Sequence, residues 1–293
     1  MRRRAATPRH HPVFAKFPGG PPAAAGDAFV ADFLGTVKRR EFDPFPHTMA
    51  LDFNEEYFEW IDLLEAVVEA EDRFTMIELG AGFGRWLVRG ARAVRQYHGD
   101  LPTRLVGVEA DPTHFEWMLQ NFRDNGLDPA AHQLVEAAVD ARDGEVRFLV
   151  DSPYAQWGQH IIRDPQIVAP SRSVRAVALD GLLEPLGTVD LVDLDVQGAE
   201  AVVLESVADR LDRQVRRIHV GTHSHEIEAA LRGLFLGRGW QCLHDFACFS
   251  KPRTAWGRVS FGDGVQTWLN PRLRPGRPAP SPPSLLRRLI GRG

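Results

Sequence analysis

The amino-acid sequence predicts an α/β fold, with a mostly parallel, seven-stranded sheet and helices on both faces. The first observation behind this prediction is an alternation of short apolar runs with helical patterns from residue 74 onward. Such alternation is typical of a parallel sheet that is covered by helices. The second observation is a glycine-rich turn directly after the first apolar run. Doubly wound sheets bind nucleotides at this position, so we expect a Rossmann-like arrangement.

Each element of this fold has its own signal. Strand-like runs lie at 74–79, 104–109, 132–139, 189–196 and 216–222, and helical stretches lie at 85–97, 113–125, 199–210 and 225–238. The runs "DGEVRFLV" and "SVRAVAL" predict extra strands after the third one. The segments "CLHDFACFSK" and "RVSFGDGVQTWLN" predict two antiparallel strands that close the sheet, with a β-hairpin around Gly262-Asp263-Gly264.

The chain of 293 residues is long enough for one large α/β domain with extensions. We expect residues 1–50 to form an N-terminal extension, poorly ordered over the Pro-, Gly- and Arg-rich residues 1–26 and irregular beyond them. The folded domain would cover 51–270, with a cap helix at 52–70 that starts from a capping box of Asp52 and Glu55. The Pro- and Arg-rich residues 271–293 predict a flexible basic tail.

Composition excludes several classes of protein. A net charge of −4 gives the body no electrostatic reason to bind nucleic acid. The two cysteines provide neither a disulfide framework nor zinc-ligand spacing. No secretory signal and no run of about 20 apolar residues is present, so we expect a cytoplasmic protein. The terminal "SLLRRLIGRG" would give at most weak peripheral membrane contact, and a solvated tail is favoured.

The glycine turn "IELGAGFG" indicates a nucleoside ligand. Gly80, Gly82 and Gly84 form a G-x-G-x-G pattern, whereas dinucleotide sites prefer G-x-G-x-x-G. Glu78 precedes the turn, where its carboxylate would repel a pyrophosphate but would attract the amino group or sulfonium of S-adenosylmethionine. A tight turn without a ligand, and a helix-capping or salt-bridge role for Glu78, are the structural alternatives.

Glu109 ends the next apolar run, in "VGVEAD". A carboxylate at this position can accept hydrogen bonds from both ribose hydroxyls, and it serves NAD as well as S-adenosylmethionine. Glu109 therefore indicates a nucleoside site without choosing the ligand. The glycine spacing and Glu78 favour S-adenosylmethionine.

Four segments resemble, in order and spacing, the FkbM-type S-adenosylmethionine-dependent methyltransferases. They are "IELGAGFGRW", "VGVEADPTHFEWMLQNF", "EAAVDARDGEVRF" and "VRAVALDGLLEPLGTVDLVDLDVQGAEAVVLES", and the resemblance covers roughly 74–245. The last segment is the most specific, because the family typically carries "IDLLKIDVEGAE". The matching residues in this chain are Asp195, Gly198, Ala199 and Glu200. Asp193 and Gln197 depart from the pattern, since the family usually has Lys and Glu there.

The resemblance implies a class I methyltransferase fold and methyl transfer from S-adenosylmethionine to an oxygen, on a sugar, glycan or related natural product. The glycine turn with Glu78 would hold the cofactor, Glu109 would bind its ribose, and the backbone near Ala137 and Ala138 would face the adenine. Two other functions stay open. One is an NAD-dependent oxidoreductase, and the other is a non-catalytic module that binds S-adenosylmethionine.

Methyl transfer to a hydroxyl requires a general base, or a metal that lowers the pKa of the hydroxyl. Asp195 ends the fourth strand and His223 follows the fifth, so both are expected at the carboxyl edge of the sheet as catalytic candidates. Asp193 shares the face of Asp195 but lies two residues deeper. A divalent metal held by Asp195, His223 and His225 is a weaker alternative, and no metal ligand is assigned. The remaining alternative is a histidine-rich turn in which Ser224 caps the next helix.

Overall fold

The computed structural model describes residues 10–20, 27–42, 51–149, 158–164 and 166–274. The other parts of the N-terminal extension and the basic tail from residue 275 lie outside the described residues. The expectations of a poorly ordered start, a flexible tail and membrane contact through the tail therefore stay predictions for those segments. No helix in the described part of the chain is long and apolar enough to cross a membrane.

A central sheet of seven strands organises the domain. In chain order the strands are β1 (Phe74–Leu79), β2 (Thr103–Glu109), β3 (Gln133–Glu136), β4 (Val189–Leu194), β5 (Val215–Thr222), β6 (Gln241–Phe246) and β7 (Gly264–Leu269). Their spatial order is β3-β2-β1-β4-β5-β7-β6. The sheet confirms the predicted α/β class.

The closing strands differ from the expectation. Strand β7 lies between β5 and β6 and is antiparallel to both, so β6 runs parallel to the first five strands and β7 alone is reversed. The hairpin predicted around Gly262–Gly264 is wrong, because β7 pairs with β5 and β6 and not with the residues just before the turn. Phe261 instead bridges Ser250.

Seven α-helices cover the sheet in the described residues. They are α1 (Glu56–Glu69), α2 (Arg85–Tyr97), α3 (Pro112–Asp124), α4 (Leu179–Leu183), α5 (Glu200–Ser206), α6 (Ala208–Gln214) and α7 (His225–Gly237). The helix predicted over 199–210 is therefore two short helices, separated at Val207. The predicted capping box of α1 is wrong, because its N-cap residue Glu55 makes no capping bond and accepts a hydrogen bond from the Gly262 amide at 2.9 Å instead.

The run predicted as one strand at 132–139 divides between two sheets. Its first half is β3, and Ala138–Asp140 joins a three-stranded sheet with Gly144–Leu149 and Ser171–Ala178. At the division, the Ala137 amide donates to the Glu109 carbonyl at 2.9 Å. This sheet contains the two extra strands that the sequence predicts.

Two hydrophobic clusters cover the two faces of the sheet. On one face, Met76 and Leu191 pack with α1 and α2, and on the other face, Ile77 and Val192 pack with α5 and α7. Because side chains alternate along a strand, Glu78 and Asp193 face the same side as Met76 and Leu191. This alternation directs two carboxylates towards α1.

The described part of the N-terminal extension is ordered, which corrects the expectation for residues 10–20. A 3-10 helix at Pro12–Lys16 buries Val13 and Phe14 against α1. Strands Phe29–Ala31 and Val37–Arg39 form a short antiparallel pair. The aromatic and aliphatic side chains of this Pro- and Gly-rich segment are sufficient to fix it on the domain.

Candidate active site

A cavity of about 520 Å³ opens at the carboxyl ends of β1, β4 and β5, between α1 and the glycine turn. Ligands of open α/β sheets bind at this edge, and the volume is within the usual range for small-molecule sites. The acidic residues of its described lining are Asp32, Asp52, Glu55, Glu56, Glu59, Glu78, Asp193, Asp195 and Asp263. Arg85, Arg89 and His219 are the basic residues of that lining. Since Arg85 pairs with Glu56 at 2.8 Å and Arg89 with Asp32 at 3.0 Å, the cavity is strongly acidic.

The glycine turn has the left-handed backbone that favours glycine, with φ of 78° at Gly80, 53° at Gly82 and 66° at Gly84. A Cβ at Gly80 would lie 1.8 Å from the carbonyl oxygen of Asp195. A Cβ at Gly84 would lie 2.8 Å from Met118. Packing alone therefore requires glycine at these two positions, while Gly80 and Gly82 also line the cavity.

Glu78 caps a helix and also lies at the cavity. Its Oε2 accepts a hydrogen bond at 3.1 Å from the amide of Leu87, in the first turn of α2, which is the helix-capping alternative. The side chain also lines the cavity. Burial raises the pKa of Glu78 to about 8, against the opposing effect of the backbone hydrogen bond from Leu87.

Glu109 is buried at the end of β2. Its Oε2 accepts from the Gly82 amide and its Oε1 from the Asp111 amide, each at 2.7 Å. Desolvation raises the pKa of Glu109 to about 7, although these backbone donors oppose the shift. The described lining of the cavity includes none of the predicted residues Glu109, Ala137 and Ala138. Glu109 adjoins the lining through the Gly82 amide, and Ala137 is bonded to Glu109 through the backbone. Ala138 begins a strand of the three-stranded sheet.

The structure brings the two catalytic candidates together. Nε2 of His223 lies 3.3 Å from Oδ1 of Asp195, and Nδ1 of His223 lies 2.7 Å from Oε1 of buried Glu200. Asp195 lines the cavity, whereas His223 lies behind it. The result is a chain of Glu200, His223 and Asp195 that ends at the cavity.

Its surroundings hold His223 as an imidazolium. Burial lowers the pKa of His223, but the contacts with Asp195 and Glu200 outweigh burial and raise it to about 10. A protonated ring is not a base at neutral pH. His225 does not join this group, because it contacts Glu228 at 3.2 Å and Cys248 at 3.7 Å. Ser224 caps α7 through the Ile227 amide, as predicted.

A second cluster at the floor of the cavity was not predicted. Glu78, Asp193 and His219 occupy neighbouring register positions on β1, β4 and β5. Glu59 reaches them from α1, and ligand atoms of Glu59, Asp193 and His219 all lie within 4.8 Å of one another. Burial, followed by repulsion between carboxylates, raises the pKa of Glu59 and of Asp193 well above their ordinary values. The register of the strands could have indicated Asp193 and His219, but nothing in the sequence places Glu59 beside them.

A buried network beneath this cluster attaches α1 to the sheet. Asp62 is fully buried, and its Oδ1 accepts from Arg217 at 2.9 Å. Its Oδ2 lies 2.7 Å from Nδ1 of His219 and accepts from the Thr267 hydroxyl at 2.5 Å. Asp62 therefore fixes the orientation of the His219 ring.

The strand order, the reversed β7 and the acidic residues at the ends of β1 and β2 define a Rossmann-like fold of the class I methyltransferase type. No family model matches the sequence. The chain is 30% identical over 191 residues to a protein of Jannaschia sp. (strain CCS1) named "Putative methyltransferase". The alignment covers 62% of this chain and 67% of that protein. The chain belongs to this methyltransferase family.

Solved structures give weaker similarities. Precorrin-6y C5,15-methyltransferase of Geobacter metallireducens has a TM-score of 0.43 and 14% identity, over 78% of this chain and 96% of that one. Methyltransferase FkbM of Methylobacillus flagellatus has a TM-score of 0.38 and 13% identity, over 67% of this chain and 44% of that one. Because both scores are low, the fold assignment rests on the strand order.

Proposed function

We propose that this methyltransferase uses S-adenosylmethionine and methylates a hydroxyl group, on a sugar, glycan or related natural product. The acidic glycine turn is the observation that carries the proposal. Glu78 and Gly82 line the cavity, and the Glu109 carboxylate lies directly behind the Gly82 amide. The hydroxyl acceptor follows from the resemblance of the "DVQGAE" segment to the FkbM-type enzymes.

The described residues fit the cofactor. Each oxygen of Glu109 accepts one backbone hydrogen bond and keeps a second lone pair, which a ribose hydroxyl can use. The carboxylates of the cavity suit the positive charges of S-adenosylmethionine. The same carboxylates would repel the pyrophosphate of NAD, since both arginines of the lining are already paired. The charge of the cavity therefore opposes the oxidoreductase alternative.

When bound, S-adenosylmethionine supplies an electrophilic methyl group, so the protein has to orient the acceptor and remove its proton. Asp195 lines the cavity, and its Oδ2 accepts no hydrogen bond from the described residues. We assign the base to Asp195 and a positioning role to His223, whose imidazolium is held by Glu200. The Asp195 carboxylate would take the proton of the acceptor hydroxyl, while the methyl group would pass from the cofactor sulfur to that oxygen and leave S-adenosylhomocysteine.

Calorimetric titration with S-adenosylmethionine, S-adenosylhomocysteine and NADH tests the cofactor. We expect binding of the two sulfur nucleosides alone. Glu109→Gln should weaken it roughly ten- to hundredfold, because hydrogen bonds to a charged group contribute about 1.5–3 kcal/mol. Glu136→Gln is the matched control, since exposed Glu136 lies beside Glu109 in the sheet register. Preference for NADH would reject the proposal.

A second assay separates catalysis from binding. The enzyme is incubated with S-adenosylmethionine and a panel of sugars and glycans, and formation of S-adenosylhomocysteine is measured. Asp195→Asn should remove turnover while the affinity for S-adenosylhomocysteine stays unchanged. Tight cofactor binding with no turnover on any acceptor would favour the non-catalytic module instead.

A further inference from the structure

We propose that Glu59, Asp193 and His219 form a binding site for one divalent metal ion at the floor of the cavity. Their ligand atoms lie within 4.8 Å of one another, although they come from α1, β4 and β5. A mixture of carboxylate oxygens and one imidazole nitrogen is a common set of ligands for a first-row divalent ion. Asp195 and His223 take no part in this site.

His219 is oriented as metal-binding histidines are. Its Nδ1 lies 2.7 Å from Oδ2 of Asp62, which leaves Nε2 as the nitrogen that can face the cavity. A carboxylate on the far nitrogen of the ring is the usual outer support of such a ligand. The Thr267 hydroxyl and Arg217 in turn hold Asp62, so the ring cannot easily turn away.

Asp193 is the second independent observation that points to a ligand. It is 4% exposed and lines the cavity, yet no N–H or O–H donor of the described residues other than the Glu59 carboxyl contacts its carboxylate. Buried carboxylates are normally paired with donors or cations. A bound cation would replace the proton that the Asp193 and Glu59 carboxyls otherwise share.

The local charge agrees with this assignment. Glu59, Glu78 and Asp193 place three carboxylates at the floor of the cavity. The nearby guanidinium of Arg85 makes its hydrogen bond to Glu56, at 2.8 Å, rather than to this group. A divalent ion would bring a positive charge to this group of buried carboxyls. It would also lie at the base of the site where the proposed acceptor binds, and there it could lower the pKa of a hydroxyl.

Mn²⁺ binding to metal-free protein tests the site without any nucleoside, so its outcome is independent of the proposed cofactor. Free Mn²⁺ is measured by electron paramagnetic resonance, and heat by calorimetry. We expect one saturable ion per chain. Asp193→Asn and Glu59→Gln should each weaken binding by on the order of 10- to 100-fold, the range that loss of even an outer-shell partner produces.

Asp263→Asn is the matched control, because Asp263 lines the same cavity outside the cluster. Its Mn²⁺ affinity should equal that of the unmodified protein, and circular dichroism should show that all three variants are folded. No saturable binding, or binding that neither cluster variant weakens, would overturn the proposal. The proposal would also be overturned if the three residues bind only the ammonium group of the nucleoside. In that case both variants would bind S-adenosylhomocysteine more weakly in the presence of a chelator, and neither the unmodified protein nor the variants would bind Mn²⁺.

Discussion

His223 lies between two carboxylates, Glu200 at its Nδ1 and Asp195 at its Nε2, and these neighbours decide its protonation state. The sequence predicts that Asp195 and His223 lie at the same edge of the sheet, because both follow strands that end there, and the structure brings them within 3.3 Å of each other. It does not predict that Glu200 lies behind the histidine. Asp195 has the larger effect on the pKa of His223 and Glu200 adds to it, so both contacts together make this candidate base an imidazolium. The role of His223 therefore depends on tertiary contacts.

Replacing Glu200 should weaken this effect. In Glu200→Gln the Nδ1 contact loses its charge, so we expect the pKa of His223 to fall from about 10 towards the ordinary value near 6.5. Nuclear magnetic resonance of the histidine rings across pH 5 to 11 measures the pKa of His223. A His223 ring that still titrates near 10 would contradict the interpretation.

Gly80 shows a different kind of single-residue requirement. Gly80→Ala should destabilise the fold by more than the roughly 1–2 kcal/mol of left-handed strain, because the new Cβ would also meet the Asp195 carbonyl. Gly99→Ala is the control, since Gly99 has a similar φ of 72° with nothing within 4 Å of the added Cβ. Urea unfolding of both variants measures the difference. Equal losses would show that the turn relaxes around the methyl group.

At the level of elements, helix α1 is attached to the sheet by charged groups as well as by apolar packing. Its Asp62 contacts Arg217 and His219 on β5 and Thr267 on β7. Hydrophobic periodicity predicts that this helix exists, but it starts at Glu56 rather than at residue 52. The partners of Asp62 could not be predicted, because they lie more than 150 residues away along the chain.

Breaking this attachment should be costly. Asp62→Asn leaves Arg217 buried without its fully buried charge partner on α1, and loss of one partner of a buried ion pair costs about 3–5 kcal/mol. We expect the lower end of that range, since Glu65 also lies 2.9 Å from Arg217. Glu69→Gln, which removes a longer and more exposed contact at 3.4 Å, should cost less than about 1 kcal/mol. Chemical denaturation distinguishes the two, and similar losses would contradict this account.

At the scale of the whole molecule, buried acids make stability depend on pH in an unusual direction. The folded state raises the pKa of Glu78 to about 8, of Glu109 to about 7 and of Asp190 to about 6, mainly through burial. Each contributes stability that is complete below its unfolded pKa, near 4, and is lost as pH rises through the folded value. His223, whose pKa is raised to about 10, also contributes stability that is complete below its unfolded pKa near 6.5 and is lost as pH rises towards 10.

We therefore expect the free energy of unfolding to be greatest at about pH 4 to 5 and to decrease steadily up to about pH 10. Asp62 limits the acid side, because its pKa is lowered to about 2 and its contribution is lost only as pH falls below about 4. Urea unfolding at a series of pH values measures the curve. A maximum at pH 8 or above would show that the acids are solvated in the folded protein.

The sequence predicts most of the molecule up to β5, where local patterns and chain order coincide. It fails at the closing strands because their pairing depends on distant partners. Two apolar segments near the end indicate that two strands exist, but not that β7 inserts between β5 and β6. Glu59 was missed for the same reason, since its relevance comes from where α1 packs.

The position of β7 has a consequence for synthesis on the ribosome. Among the described strands, β6 pairs with β7, yet β6 leaves the ribosome before β7 does. Strand β5 also lacks its second neighbour until β7 is available. Until residues 264–269 leave the exit tunnel, the nascent chain presents two open strand edges, and such edges can pair with other chains. Closure of the sheet therefore waits until β7 has been synthesised.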